Sequence, residues 1–169
     1  ENAPTLKIIY SALRSQEKGW AGIYWQNPEN NWGDEIGGYN LTGAKKLTFW
    51  ARGEKGGERV EFGMGGIKGR YPDTDSATTG IITLTNKWQK YTIDLRGKNL
   101  TRIIGGFYFK VYEEDNPFGC VFYLKDIKYE KDAPTEEELK ATEKARLKNI
   151  SWTEEEITEN LYNYIAQYM

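Results

Sequence analysis

Residues 105–112, "GGFYFKVY", alternate with period two: Phe107, Phe109 and Val111 fall on one parity, Tyr108, Lys110 and Tyr112 on the other. In an extended chain successive side chains point to opposite faces, so this spacing gives a strand one apolar face and one mixed face. The same rhythm sets Leu47, Phe49 and Ala51 against Thr48, Trp50 and Arg52, and Val60, Phe62 and Met64 against Arg59, Glu61 and Gly63. Five further runs share the β-branched and aromatic bias: "LKIIYSA", "WAGIYWQ", "GIITLT", "WQKYTIDL" and "CVFYLKDIKY". Each is bounded by Gly, Pro, Asn or Asp, residues that punctuate strands. Eight short strands over residues 6–132 predict an all-β domain built as a two-sheet antiparallel β-sandwich. The segment "GGIKGRYPDTDSATTG" between them reads as an exposed loop.

The pattern changes after Ala133. Thr135 with Glu138, and Thr153 with Glu156, form two capping boxes, and Ile157, Leu161, Tyr164, Ile165 and Tyr168 make one apolar helical stripe. Residues 1–132 are therefore expected to form the sandwich, with 133–169 a helical C-terminal extension. The stripe must be buried somewhere. It either covers the outward face of the second sheet, where Trp50 and Trp88 are expected, or meets a neighbour or a following domain.

Several classes of chemistry drop out on composition. The chain has no histidine and a single cysteine, Cys120, which removes Ser-His and Cys-His nucleophiles, His-ligated zinc and internal disulfides. Net charge is −2, and lysine and arginine nearly balance the acids, so no strong basic bias points to nucleic acid. No run approaches the roughly 20 apolar residues of a membrane span. Catalysis in such a chain would fall to carboxylates, with Glu61, Asp94, Glu113 and Glu114 the candidates for a small β-sandwich glycosidase.

The mixed faces are unusually aromatic. In "GWAGIYWQNPENNWGD", residues 19–34, Trp20, Tyr24, Trp25 and Trp32 stand beside Gln26, Asn27, Asn30, Asn31 and Asp34. A pyranose ring offers a C–H face that packs on an aromatic plane and hydroxyls that need paired donors and acceptors. Trp20, Tyr24, Trp32, Arg59, Glu61, Tyr108, Lys110 and Tyr112 are the candidate ligand-binding residues on this ground. Trp25, on the opposite parity to Tyr24, is expected in the core. Non-catalytic polysaccharide or oligosaccharide binding is the leading expectation, with the glycosidase and a protein-binding adhesion domain as alternatives.

The runs "NNWGDEIGGYNLTGAKKLTFWARGEKGGERVEFGMGG", "WQKYTIDLRGKNLTRIIGGFYF" and "VFYLKDIKYE" resemble the jelly-roll, galactose-binding-like carbohydrate-binding modules of bacterial polysaccharide-degrading systems. The resemblance covers residues 6–130. It implies a jelly-roll sandwich, a plant or microbial glycan as ligand, an attached catalytic domain, and an extracellular, cell-surface or periplasmic location. It also implies a structural calcium ion, to which Asp126 would contribute from the closing strand. The opening strand "LKIIYSA" supplies no acidic partner for it, and the oxygen-rich loop 27–35 is the other place for a hard cation.

Overall fold

The computed structural model describes residues 4–14 and 17–146, with 155, 158 and 159 beyond them. Among residues 4–146, eight strands and one helix follow in order: β1 (Leu6–Tyr10), β2 (Trp20–Gln26), β3 (Lys46–Gly53), β4 (Arg59–Gly65), β5 (Ser76–Thr83), β6 (Gln89–Asp94), β7 (Gly105–Tyr112), β8 (Cys120–Glu130) and α1 (Glu136–Ala145). They form two four-stranded sheets, β1-β8-β3-β6 and β2-β7-β4-β5, with every pairing antiparallel. Within the sheets β4 pairs with β5, β3 with β6, β2 with β7 and β1 with β8, the nested pairing of a jelly roll.

Alternation assigns the faces as expected. Leu47, Phe49, Ala51, Val60, Phe62, Met64, Phe107, Phe109 and Val111 are all buried between the sheets, joined by Tyr91, Ile93, Phe122 and Leu124. The rings interlock across the gap. Phe49 lies 4.5 Å from Phe62 and meets Phe107 edge-on at 5.4 Å, while Phe122 meets Phe109 edge-on at 5.2 Å. These are the offset and edge-to-face geometries that the ring quadrupole favours.

Two departures from the sequence reading have clear causes. β5 begins at Ser76, inside the segment expected as loop. It pairs with β4 on both sides of a register shift, which side-chain hydroxyls bridge: Thr79 accepts from the Phe62 amide, and Thr78 and Thr79 donate to the Phe62 carbonyl. A bulged edge strand tolerates such Thr- and Gly-rich sequence. Trp25 lies opposite Phe107 and packs on Phe107 and Phe109 at 5.5 and 6.2 Å, so its parity is that of the core, yet it stays 38% exposed. The reason is position: β2 is the outermost strand of its sheet.

The helix closes the opposite side of the sandwich, where β5 and β6 leave two unpaired edges. Thr142 is buried and its hydroxyl accepts the Thr92 amide of β6 at 2.9 Å. Arg146 donates from Nε to the Thr79 carbonyl of β5 at 2.9 Å. The C-terminal helical segment therefore satisfies the edges of both sheets. The first capping box forms as read, with Thr135 and Glu138 bonding each other's backbone amides. The second capping box and the 157–168 stripe lie outside the described residues. No described helix is long and apolar enough to cross a membrane.

Glu138 also binds the Lys46 ammonium at 3.1 Å and that of Lys90 at 3.3 Å. Its carboxyl is pushed down to about 2 from an ordinary 4.5, chiefly by the Thr135 amide; burial acts the other way, and the two lysines add to the lowering. A carboxylate with a depressed pKa stabilises the fold fully above its unfolded value, and that stabilisation is lost as pH falls through the folded one. Glu138→Gln keeps an amide-capping side chain but removes the charge, leaving the buried Lys46 with only Glu130 at 3.8 Å. Urea unfolding should show it about 1–2 kcal/mol less stable than the parent at pH 7. The difference should shrink from pH 4.5 towards pH 2, and a gap that stays constant would refute the ion-pair account.

Candidate functional site

The outward face of β2, β7 and β4 brings most of the sequence-derived residues together. Register puts Tyr24 opposite Tyr108 and Tyr108 opposite Gly63; the next row runs Gly22, Lys110, Glu61; the row beyond pairs Trp20 with Tyr112. Side chains directly opposite on one face are in contact range, so three strands build one continuous surface. Tyr24 stacks on Tyr108 with centroids 4.8 Å apart, and Trp32 meets Tyr24 edge-on at 5.1 Å. The Lys110 ammonium lies 4.9 Å from the Tyr108 ring centre and 5.7 Å from that of Tyr24. Trp20 and Trp32 remain about half exposed.

Two glycines let this layer lie close to the sheet. A Cβ at Gly63 would stand 2.4 Å from the Tyr108 ring and hydroxyl. The space that Gly63 leaves is thus filled by Tyr108 itself, which explains why an outward tyrosine is only 8% exposed. At Gly22 a Cβ would meet the Phe109 carbonyl at 2.7 Å and the Lys110 stem at 3.3 Å. The lysine lies down over the bare backbone, which aims its head at the rings.

The electrostatics follow from this packing. Burial first, then the Glu61 charge, raise the Tyr108 hydroxyl to about 12, opposed by its bond with Thr78 and by Lys110. Burial and Glu61 likewise raise Tyr112. Desolvation disfavours the charged form of Lys110, but its hydrogen bond with Tyr24 and the surrounding Tyr24, Tyr108 and Glu61 outweigh that and raise its pKa. The phenols stay protonated and the lysine charged across ordinary pH. The face therefore offers neutral hydroxyls, one ammonium and one carboxylate around flat rings, a set that can pair with hydroxyls in both directions.

Trp32 is held by a loop that consumes its own amides. Asn31 is buried; its Oδ1 accepts the amides of Gly33 and Asp34 at 2.9 and 3.1 Å, and its Nδ2 donates to the Glu35 carbonyl. The loop is locked to residues 66–73 through Tyr71, whose amide donates to the Gly33 carbonyl. Asn31 is accordingly a scaffold for Trp32 rather than a hydroxyl binder, which the sequence could not separate because Asn serves turns and ligands alike. Thr78 is a site residue that sequence reasoning missed. It lay in the segment read as loop.

The remaining candidates lie elsewhere. Arg59 is only 6% exposed, with its main chain bonded to the Asn116 side chain through both N–H and C=O, so it is set into the sheet rather than presented on it. Its parity is outward, but the 112–116 turn covers it. Asp126 sits in a bulge of β8 in the other sheet, with a left-handed φ of 53°. Among the described residues no group of three or more Asp, Glu or Cys side chains comes together. The candidate catalytic acids are dispersed. Asp94 pairs with Arg96 in the first sheet, Glu113 pairs with Arg14, and Glu114 is exposed in a turn, leaving Glu61 as the member of that set on the aromatic face.

Comparison with known proteins gives no matching family model and no matching curated protein. Among solved structures, two crystal structures of a family 30 carbohydrate-binding module are similar. One has 19% identity and a TM-score of 0.48 over 75% of this chain and 76% of the other; the second has 20% identity and a TM-score of 0.49 over 78% and 71%.

Gly63→Ala tests the architecture of this face. The added methyl should displace the Tyr108 ring, because the Ala77 carbonyl 2.7 Å away blocks the other direction. Overpacking of this kind costs about 1–3 kcal/mol. Tyrosine fluorescence and the melting temperature should both change, whereas an unaltered melting transition would mean the ring is not seated on Gly63.

Proposed function

We propose that this chain binds a polysaccharide along the outward face of β2, β7 and β4, without cleaving it. The observation that carries the reading is the Trp32–Tyr24–Tyr108 cluster with the Lys110 ammonium beside it and Glu61 in the adjoining row. Its rings are outward although the fold has an ample core to hide them in, and the polar groups among them suit hydroxyls. Along β2, Tyr24 lies four positions from Trp20, roughly 13 Å at the rise of a strand. A face of that length suits several consecutive sugar rings of a chain rather than one terminal sugar. Preformed, flat contacts on a hydrated ligand give modest affinity driven by enthalpy. A plant or microbial glycan met outside the cell, with this domain tethering a catalytic neighbour to it, is the setting we infer.

Non-catalytic action is favoured by the dispersal of Asp94, Glu113 and Glu114 away from Glu61. Calorimetry against soluble neutral glucans, xylans and mannans should give saturable binding to at least one. Trp32→Ala and Tyr24→Ala should each weaken it about tenfold or more, the scale expected for loss of one aromatic stacking contact. No reducing sugar should be released from the bound polymer. Binding that is unchanged in both variants would remove this face from consideration, and release of reducing ends abolished by Glu61→Ala would reinstate the glycosidase.

A further inference from the structure

The outward face of the β1-β8-β3-β6 sheet carries a second set of rings and charges. Register places Lys7 opposite Tyr123, Tyr123 opposite Arg52, Lys125 opposite Trp50, and Lys128 opposite Thr48. The Arg52 guanidinium lies 4.1 Å from the Tyr123 ring centre and 5.5 Å from that of Trp88. Lys125 sits 4.2 Å from Trp88, and Lys7 6.0 Å from Tyr123. Among the described residues, none of Lys7, Arg52, Lys125 and Lys128 forms an ion pair with a carboxylate.

The acids along these strands are committed or set aside. Glu54 accepts the Tyr123 hydroxyl, Glu130 is shared between Lys46 and Lys90, and Asp126 is in the bulge. In a chain with net charge −2, three cations held by rings on one sheet face, with Lys128 opposite Thr48 as a fourth on the same sheet, are a local reversal of sign. A cation–π contact does not use up the N–H donors of a guanidinium, of which it has five. Arg52 donates one N–H to the Gly53 carbonyl at 3.3 Å, and the fork geometry of the rest suits a planar carboxylate.

We propose that this face binds an acidic polysaccharide, one whose sugar rings bear carboxylates, at a surface separate from the Tyr24–Tyr108 platform. Charge complementarity selects the anion, and the rings select a ligand with apolar ring faces between its charges. Nucleic acid fits less well. Phosphate-driven binding draws on about 6–10 contacts, more than the four cations here, and the chain's net negative charge opposes it.

The test compares polygalacturonate with a neutral glucan by affinity electrophoresis and calorimetry at low salt. Arg52→Gln, and separately Lys7→Gln/Lys125→Gln at the sheet surface, should weaken polygalacturonate about tenfold while leaving the neutral polymer unaffected. Trp32→Ala should do the reverse, which keeps failure of this site distinguishable from failure of the other. Raising ionic strength from 50 to 200 mM should weaken the acidic polymer several-fold. Circular dichroism confirms that each variant is folded. Absence of polygalacturonate binding at low salt, binding unchanged in Lys7→Gln/Lys125→Gln, loss only in Trp32→Ala, or equal binding of a thymidine oligonucleotide would each overturn the proposal.

Discussion

The interlocked phenylalanines between the sheets are what the rest of the molecule depends on. Phe49 and Phe122 from one sheet and Phe62, Phe107 and Phe109 from the other fill the gap at 4.5–6.1 Å. Each such ring, fully buried, is worth on the order of 2–3 kcal/mol, enough to fix the register of every strand it belongs to. Because the side-chain period is two, a one-residue slip would exchange Phe107 and Phe109 for Tyr108 and Lys110. Holding the phenylalanines in therefore holds the tyrosines and the lysine out. The outward aromatic face is the obligatory complement of the core.

Once the two sheets are clamped, their edges become the remaining problem, and the two ends solve it differently. At β5 and β6 the helix supplies Thr142 and Arg146 to the strand backbones, with Glu138 binding Lys46 and Lys90 beside them. At β1 and β2 no described helix intervenes, and Ile23 and Trp25 stay partly exposed although their parity faces inward. Burial in this sandwich thus falls off laterally. That gradient explains why Trp25 is at once a core-facing and an exposed residue.

The two outward faces use aromatic rings in opposite ways. On β2, β7 and β4 the rings stack on one another, with a glycine beneath them, and carry neutral hydroxyls. On the other sheet they hold Arg52, Lys125 and Lys7 by cation–π contact. The same residue classes thus give one face of stacked rings bearing neutral hydroxyls and one of rings carrying cations.

Much of this was legible in the residues alone. Alternation in 47–52, 59–64 and 105–112 determined which side chains face inward, since parity along an extended chain needs no knowledge of its partners. The Thr135–Glu138 capping box was equally local. Only the tertiary structure decided which outward residues become neighbours. Glu61 and Lys110 are 49 positions apart and meet because β4 pairs with β7. Arg59 shares the parity of Glu61, yet the 112–116 turn buries it, and Asn31 looks like a ligand-binding amide until its acceptor is seen to be filled by the Gly33 and Asp34 amides. Sequence determines the face of a residue because that is set by bond geometry within one strand. Its exposure and its company depend on strand pairing and loop docking, which join positions that no local rhythm connects.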